Sequence, residues 1–261
     1  MSLKRNVSIL ASLLLVLGVS VTASAHEADK KKKPRPPAPP KARILIVTGA
    51  DVPAHDWRAT TKVTRKILEE DRELDVRVCE DTAILETSAL HSYDVVLLNF
   101  RNNPRRDPGP KARDNLAKFV REGKGLIAVH FAIYAFAGWE EYQKILGRVW
   151  VGRQSGKKIS GHGPRKKLPI EIQKPEHPIL KGMKSVNAVD ELAAKLVGDE
   201  KIEVLMSAKS EYSGQVEPVA WTRAYGKGRV FVTVLGHDAE ARSQPDFGSV
   251  LRRATRWAAA K

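Results

Sequence analysis

Three uninterrupted apolar runs constrain this chain more than any other feature. They are ARILIVTGA (residues 42–50), YDVVLLNF (93–100) and GLIAVHF (125–131). A strand without polar alternation is buried on both faces, which places it in the middle of a mostly parallel sheet. Helical spacing fills the gaps: Val63, Ile67 and Leu68 share one face of residues 58–70, and Leu116, Phe119 and Val120 one face of 111–123. LDVRVCE (74–80) alternates as a strand nearer an edge, and GWEEYQKILG (138–147) reads as a further helix. Strand and helix recurring at this pitch predict a doubly wound α/β sheet with helices on both faces.

The second half departs from that rhythm. LPIEIQ (168–173) and KIEVLMSA (201–208) read as strands, and residues 217–238 as a hairpin turning on Tyr225-Gly226-Lys227-Gly228. The hairpin is thus an addition at the carboxyl end of the α/β unit. A closing helix over 246–260 carries Leu251, Ala254 and Trp257 toward the sheet.

The chain starts differently. Lys4 and Arg5 precede an apolar stretch that ends Ala23-Ser24-Ala25, so residues 1–25 read as a secretory signal. Residues 26–42, rich in Lys and Pro, read as a disordered tether, leaving 43–261 as the folded domain. Exported, the protein is expected in the periplasm or outside the cell, with no integral membrane segment once the signal is cut. The net charge of +15 suggests nucleic acid until it is located. Residues 1–43 hold nine Lys or Arg against Glu27 and Asp29, and the rest is scattered, so a nucleic-acid partner is not expected. Cys79, the single cysteine, has no disulfide partner and reads as strand filler.

Ligands of open α/β sheets bind beyond the carboxyl ends of the strands. His55, Asp56 and Trp57 follow the first run, Asn99, Arg101 and Asn102 fall at the end of the second, His130 ends the third, and His237 with Asp238 ends the hairpin. Convergence of these groups above one sheet edge would make a site. Each also has a plainer reading: His130 satisfied by a backbone carbonyl, Asp56 capping a helix, His162 on a solvated loop tip between Gly161 and Gly163. Asp190-Glu191 would either face the imidazoles or open a helix, whose dipole favours acids. Tyr134 and Trp139, with Trp57, offer flat faces for a sugar or simply pack. No phosphate-binding glycine loop, G-x-S-x-G elbow or H-E-x-x-H helix occurs. No cofactor is identified; a divalent metal is left open, and its ligands would be His55, His130 and His237.

VTGADVPAHDW, GKGLIAVHFAIYAFAGWEEYQKILG, HPILKGM, VDEL and EPVAWTRAYGKGRVFVTVLGHD together resemble the ThuA-like family associated with trehalose utilisation. The likeness spans about residues 43–260, and the last segment is the most specific. It implies a flavodoxin-like fold similar to class I glutamine amidotransferases. Those relatives carry a cysteine nucleophile at a strand-to-helix elbow; here that elbow presents His130, so glutamine amidotransfer is not expected. The resemblance implies a carbohydrate partner, trehalose-like disaccharides or their keto derivatives, and carries over His55, His130, Asp190, Glu191 and His237 as site positions. Ala193 stands where such relatives often have an aromatic. The expected enzyme uses His130 as general acid or base, positioned by catalytic Asp190 or Glu191, with His55, Asp56, Trp57, Asn99, Tyr134, Trp139, His162 and His237 binding substrate. Two alternatives stay open: a non-catalytic sugar-binding module, and a metal-dependent hydrolase of another small molecule.

Overall fold

The computed structural model describes residues 41–101, 108–154 and 156–260. The signal and tether expected over 1–42 fall almost wholly outside these residues, and Asn102 lies outside them. Eight strands form one sheet: β1 (Ala42–Val47), β2 (Leu74–Cys79), β3 (Val95–Leu98), β4 (Gly125–Val129), β5 (Glu171–Ile172), β6 (Glu203–Lys209), β7 (Val216–Tyr225) and β8 (Gly228–Thr233). Their order is β2-β1-β3-β4-β8-β7-β6-β5. The first five in that order run parallel and the remaining pairs antiparallel. Ile44 to Val47, Val95 to Leu98 and Leu126 to Val129 are buried, as their unbroken apolar runs require.

Among the described residues five α-helices flank the sheet: α1 (Trp57–Glu69), α2 (Gly109–Arg121), α3 (Glu140–Leu146), α4 (Ala239–Arg242) and α5 (Pro245–Ala259). α1 packs with α5, and α2 with α3. Order reverses at β1, since β2 lies on one side of it and β3 on the other. Right-handed crossovers at such a reversal put consecutive helices on opposite faces and open a crevice at the strands' carboxyl ends.

The hairpin settles the placement of His237. β7 runs antiparallel to its neighbours, but β8 pairs parallel with β4, Thr233 opposite Val129. The chain leaving β8 therefore emerges at the same edge as His130. The run GLIAVHF is a strand only to Val129; His130–Tyr134 wind into a 3-10 turn, and Tyr142 of α3 donates to the Ala132 carbonyl to hold it. Residues 189–194 are not a helix start. Val189–Asp190 pairs with Lys166–Lys167, and Ala193–Ala194 with Gly161–His162, in two small antiparallel ladders.

Glycine is obligatory where the first strand turns out of the sheet. Gly49 has φ +108, and a Cβ there would stand 1.7 Å from the Glu80 carbonyl oxygen. Among the described residues no helix is long and apolar enough to cross a membrane.

Candidate functional site

Three imidazoles meet where the parallel strands end. The rings of His55, His130 and His237 have centroids 4.9–5.2 Å apart and lie edge to face. His130 sits at φ +50, in the left-handed region that few residues with a Cβ enter, and Ala54 precedes His55 at φ +68. Such backbone persists only where surrounding structure holds it, and it clusters at functional sites. Here both distortions turn an imidazole toward the same point.

His130 Nδ1 lies 2.7 Å from the Val234 carbonyl oxygen, and its Nε2 lies 3.2 Å from His237 Nδ1. The plain reading of His130, satisfied by a backbone carbonyl, is thus true of one nitrogen and leaves the other for the cluster. Burial holds its pKa well below the ordinary imidazole range, against the opposing pull of the Val234 bond. His55 is pushed down to about 4, by burial first and then by His237 and Arg101. Both rings are neutral near pH 7. With Nδ1 engaged, Nε2 is the nitrogen that His130 presents to the cluster.

The imidazoles floor a pocket of about 370 Å³. Phe131, Tyr134 and Trp150 line it together with His162, Glu191 and Ala193, and the Trp150 and His162 rings lie 6.0 Å apart. Phe131 stacks on His55 at 4.7 Å, and the Arg101 guanidinium lies 4.3 Å over the Tyr134 ring. Glu191 bridges the floor to the rim: its Oε2 is 3.3 Å from His237 Nδ1 and 3.4 Å from His162 Nδ1. Of the residues singled out in the sequence, His55, Arg101, His130, Tyr134, His162, Glu191, Ala193 and His237 line this pocket.

The others stand elsewhere, each for a physical reason. Asp56 caps α1, accepting from the Ala59 amide. Trp57 is buried and donates through Nε1 to Asp51. Asn99 is fully buried beneath the pocket, donating to Thr61 at 2.7 Å within a layer of threonines. Trp139 lines a neighbouring hollow of about 440 Å³, which shares Tyr134 and Trp150 with the pocket.

Asp190 stands apart from the pocket lining. Only 1 % of it is exposed, and its carboxylate accepts from the amides of Gly236 (2.6 Å), Glu191 (2.8 Å) and His237 (3.4 Å). Burial raises its pKa, and those amides pull the other way. It holds the loop that delivers His237 and is not among the residues lining the pocket. Arg242 completes the clamp: fully buried, it donates to the Gly236 carbonyl and to Thr64 of α1. Desolvation pushes its pKa down to about 9, opposed by Asp190 and Asp238, so it stays charged at neutral pH. Gly236 between them has φ +101, and a Cβ would come within 3.1 Å of both Phe247 and Arg242.

Sequence reasoning missed Trp150 and Arg242. Trp150 lies in an unpatterned loop, and Arg242 in a helix too short to show a period. Arg101, noted at a strand end, gains its meaning only from the ring of Tyr134.

Fold and pocket define a class: a flavodoxin-like α/β protein with an imidazole-lined pocket at the carboxyl edge of its sheet. The family model named ThuA and described as trehalose utilisation matches residues 43–258, and the chain belongs to that family. That membership supports a carbohydrate-related role. A solved ThuA-like protein from Parabacteroides merdae is 25% identical, over 85% of this chain and 90% of that one, with a TM-score of 0.72. A second, from Bacteroides uniformis, is 18% identical over 87% and 95% of the two chains (TM-score 0.63). A cytoplasmic protein from Salmonella typhimurium shares the fold at 15% identity, over 84% of this chain and all of that one (TM-score 0.57). No curated protein matches the chain.

Proposed function

We propose that the pocket is the active site of an exported enzyme acting on trehalose-like disaccharides or their keto derivatives. One observation carries the reading. A carboxylate, Glu191, stands between two imidazoles in a pocket that Phe131, Tyr134 and Trp150 also line. Flat rings offer stacking faces to a sugar, while Arg101, His162 and Glu191 offer partners for hydroxyl or keto oxygens. A volume of about 370 Å³ lies within the range of small-molecule sites. Enolisation or elimination beside a keto group requires a base within hydrogen-bond reach of the proton removed. Glu191 takes that role in place of His130, because it reaches the pocket and is not tied down by a backbone bond. His237 and His162 orient it from either side.

The experiment is turnover of trehalose and a keto-disaccharide by the wild type and by Glu191→Gln. The isosteric amide keeps the volume and removes the base, so turnover should fall at least about a hundredfold. An unchanged rate in a folded variant removes Glu191 from the mechanism. Tight calorimetric binding of the sugar without product would instead favour a non-catalytic sugar-binding module. Export is a separate part of the proposal, supported by the amino-terminal sequence. Mass spectrometry of the secreted protein should find His26 as its first residue.

A further inference from the structure

We infer that His55, His130 and His237 form a seat for one transition-metal dication, zinc by preference, with a coordination position left open to the pocket. One nitrogen from each ring lies within 4.8 Å of the other two. A tetrahedral ion with nitrogens at ~2.0–2.1 Å holds them roughly 3.3 Å apart. The His130–His237 pair already stands at 3.2 Å. The widest pair need draw in by no more than about 1.5 Å to complete that geometry.

The donor atoms are prepared for an ion. A carbonyl oxygen can only accept, so the Val234 bond fixes the proton of neutral His130 on Nδ1 and turns the Nε2 lone pair into the cluster. Imidazoles that ligate metals are oriented in the same way, through a bond from the other nitrogen to a carbonyl or carboxylate. His55 Nδ1 is buried and meets no hydrogen-bond partner, a desolvated polar atom that its surroundings leave unanswered. His237 Nδ1 stands 3.2 Å from His130 Nε2 and 3.3 Å from Glu191 Oε2, so a bound ion would take its lone pair in place of the proton it otherwise shares with them. The His237 loop is fixed by Asp190 and Arg242, so the third donor is held as firmly as the first two.

Three imidazoles and no carboxylate ligand select zinc, copper, nickel or iron over magnesium and calcium. Three protein ligands with one open position are the arrangement of catalytic rather than structural zinc. A water bound at the open position would give its proton to the Glu191 carboxylate, which lies 3.3 Å from the His237 donor, and would remain on the ion as hydroxide. The ion shares the pocket with the proposed sugar but does not depend on that substrate.

The test uses the full chain, stripped with a chelator and titrated with ZnCl2 by calorimetry and with CoCl2 by visible absorption. One zinc per chain should bind with sub-micromolar affinity, and cobalt should develop the d–d bands of a four- or five-coordinate nitrogen-rich site. His55→Ala and His237→Ala should each weaken zinc by at least about a hundredfold, while His162→Ala, on the exposed rim, should change it by less than about threefold. Circular dichroism establishes that each variant is folded. Absence of stoichiometric zinc in the folded wild type, or affinity that both cluster substitutions leave within about twofold, overturns the inference. Zinc binding without turnover of any trehalose-like sugar leaves the ion standing and removes only the substrate. Turnover by a chain that takes up no zinc does the reverse.

Discussion

Replacing Asp190 separates a loop clamp from a catalytic acid, because the two roles predict different losses. In Asp190→Ala the buried amide of Gly236 loses its acceptor, and the amides of Glu191 and His237 lose theirs. A buried donor left unsatisfied costs roughly 1–3 kcal/mol, and bonds to a charged acceptor sit at the upper end. Arg242 also loses one of the two carboxylates that offset its burial. Part of this loss is returned. The folded-state pKa of Asp190 is raised, so folding favours its protonated form, and stability from this group declines as pH rises through that value. At neutral pH the folded protein therefore already carries a penalty for the ionised carboxylate, and removing it relieves that penalty. The net destabilisation should be about 3–4 kcal/mol for Asp190→Ala and about 1–2 kcal/mol for Asp190→Asn, whose carbonyl keeps one of the two short bonds. For a domain of this size that lowers Tm by roughly 6–16 °C and 2–8 °C respectively. Urea unfolding followed by tryptophan fluorescence at pH 7 measures both. An alanine variant within about 0.5 kcal/mol of the wild type, or one more stable than the asparagine variant, refutes the clamp.

Two further substitutions probe the frame around the site. Gly49→Ala places a methyl against the Glu80 carbonyl in a left-handed turn, so the loss should exceed about 3 kcal/mol and appear as insoluble or unfolded protein on expression. Asp71 is held below the ordinary carboxylate range chiefly by hydrogen bonds from Arg256, which ties α5 to the end of α1. A depressed pKa contributes stability above the unfolded value and loses it as pH falls through the folded one. Asp71→Asn should therefore be less stable than the wild type by about 1 kcal/mol at pH 7, since the half-exposed Arg256 is screened by solvent, and the gap should narrow as pH falls below the ordinary carboxylate range. Chemical denaturation across that pH range checks it, and a gap independent of pH would discard the ion pair as its source.

What could be read from the sequence divides along a physical line. Runs such as ILIV and VVLL mark strands buried on both faces whatever surrounds them, so the parallel half of the sheet was legible residue by residue. Residues 189–194 were not, because two-residue ladders take their shape from distant partners at 161–162 and 166–167 rather than from a local period. The site divides in the same way. His55 and His130 follow strands of known direction, so their convergence follows from topology alone. His237 required the pairing of β8 with β4, which decides whether the hairpin's second arm points toward the pocket or away from it. Asp190 and Glu191 are adjacent in sequence and carry the same acidic function, yet they are opposite in placement. Consecutive side chains of an extended segment point to opposite sides, so one carboxylate is turned under the His237 loop and the other into the pocket. No pattern in the sequence says which is which; only the Gly236 turn, closing over one of the pair, breaks the symmetry.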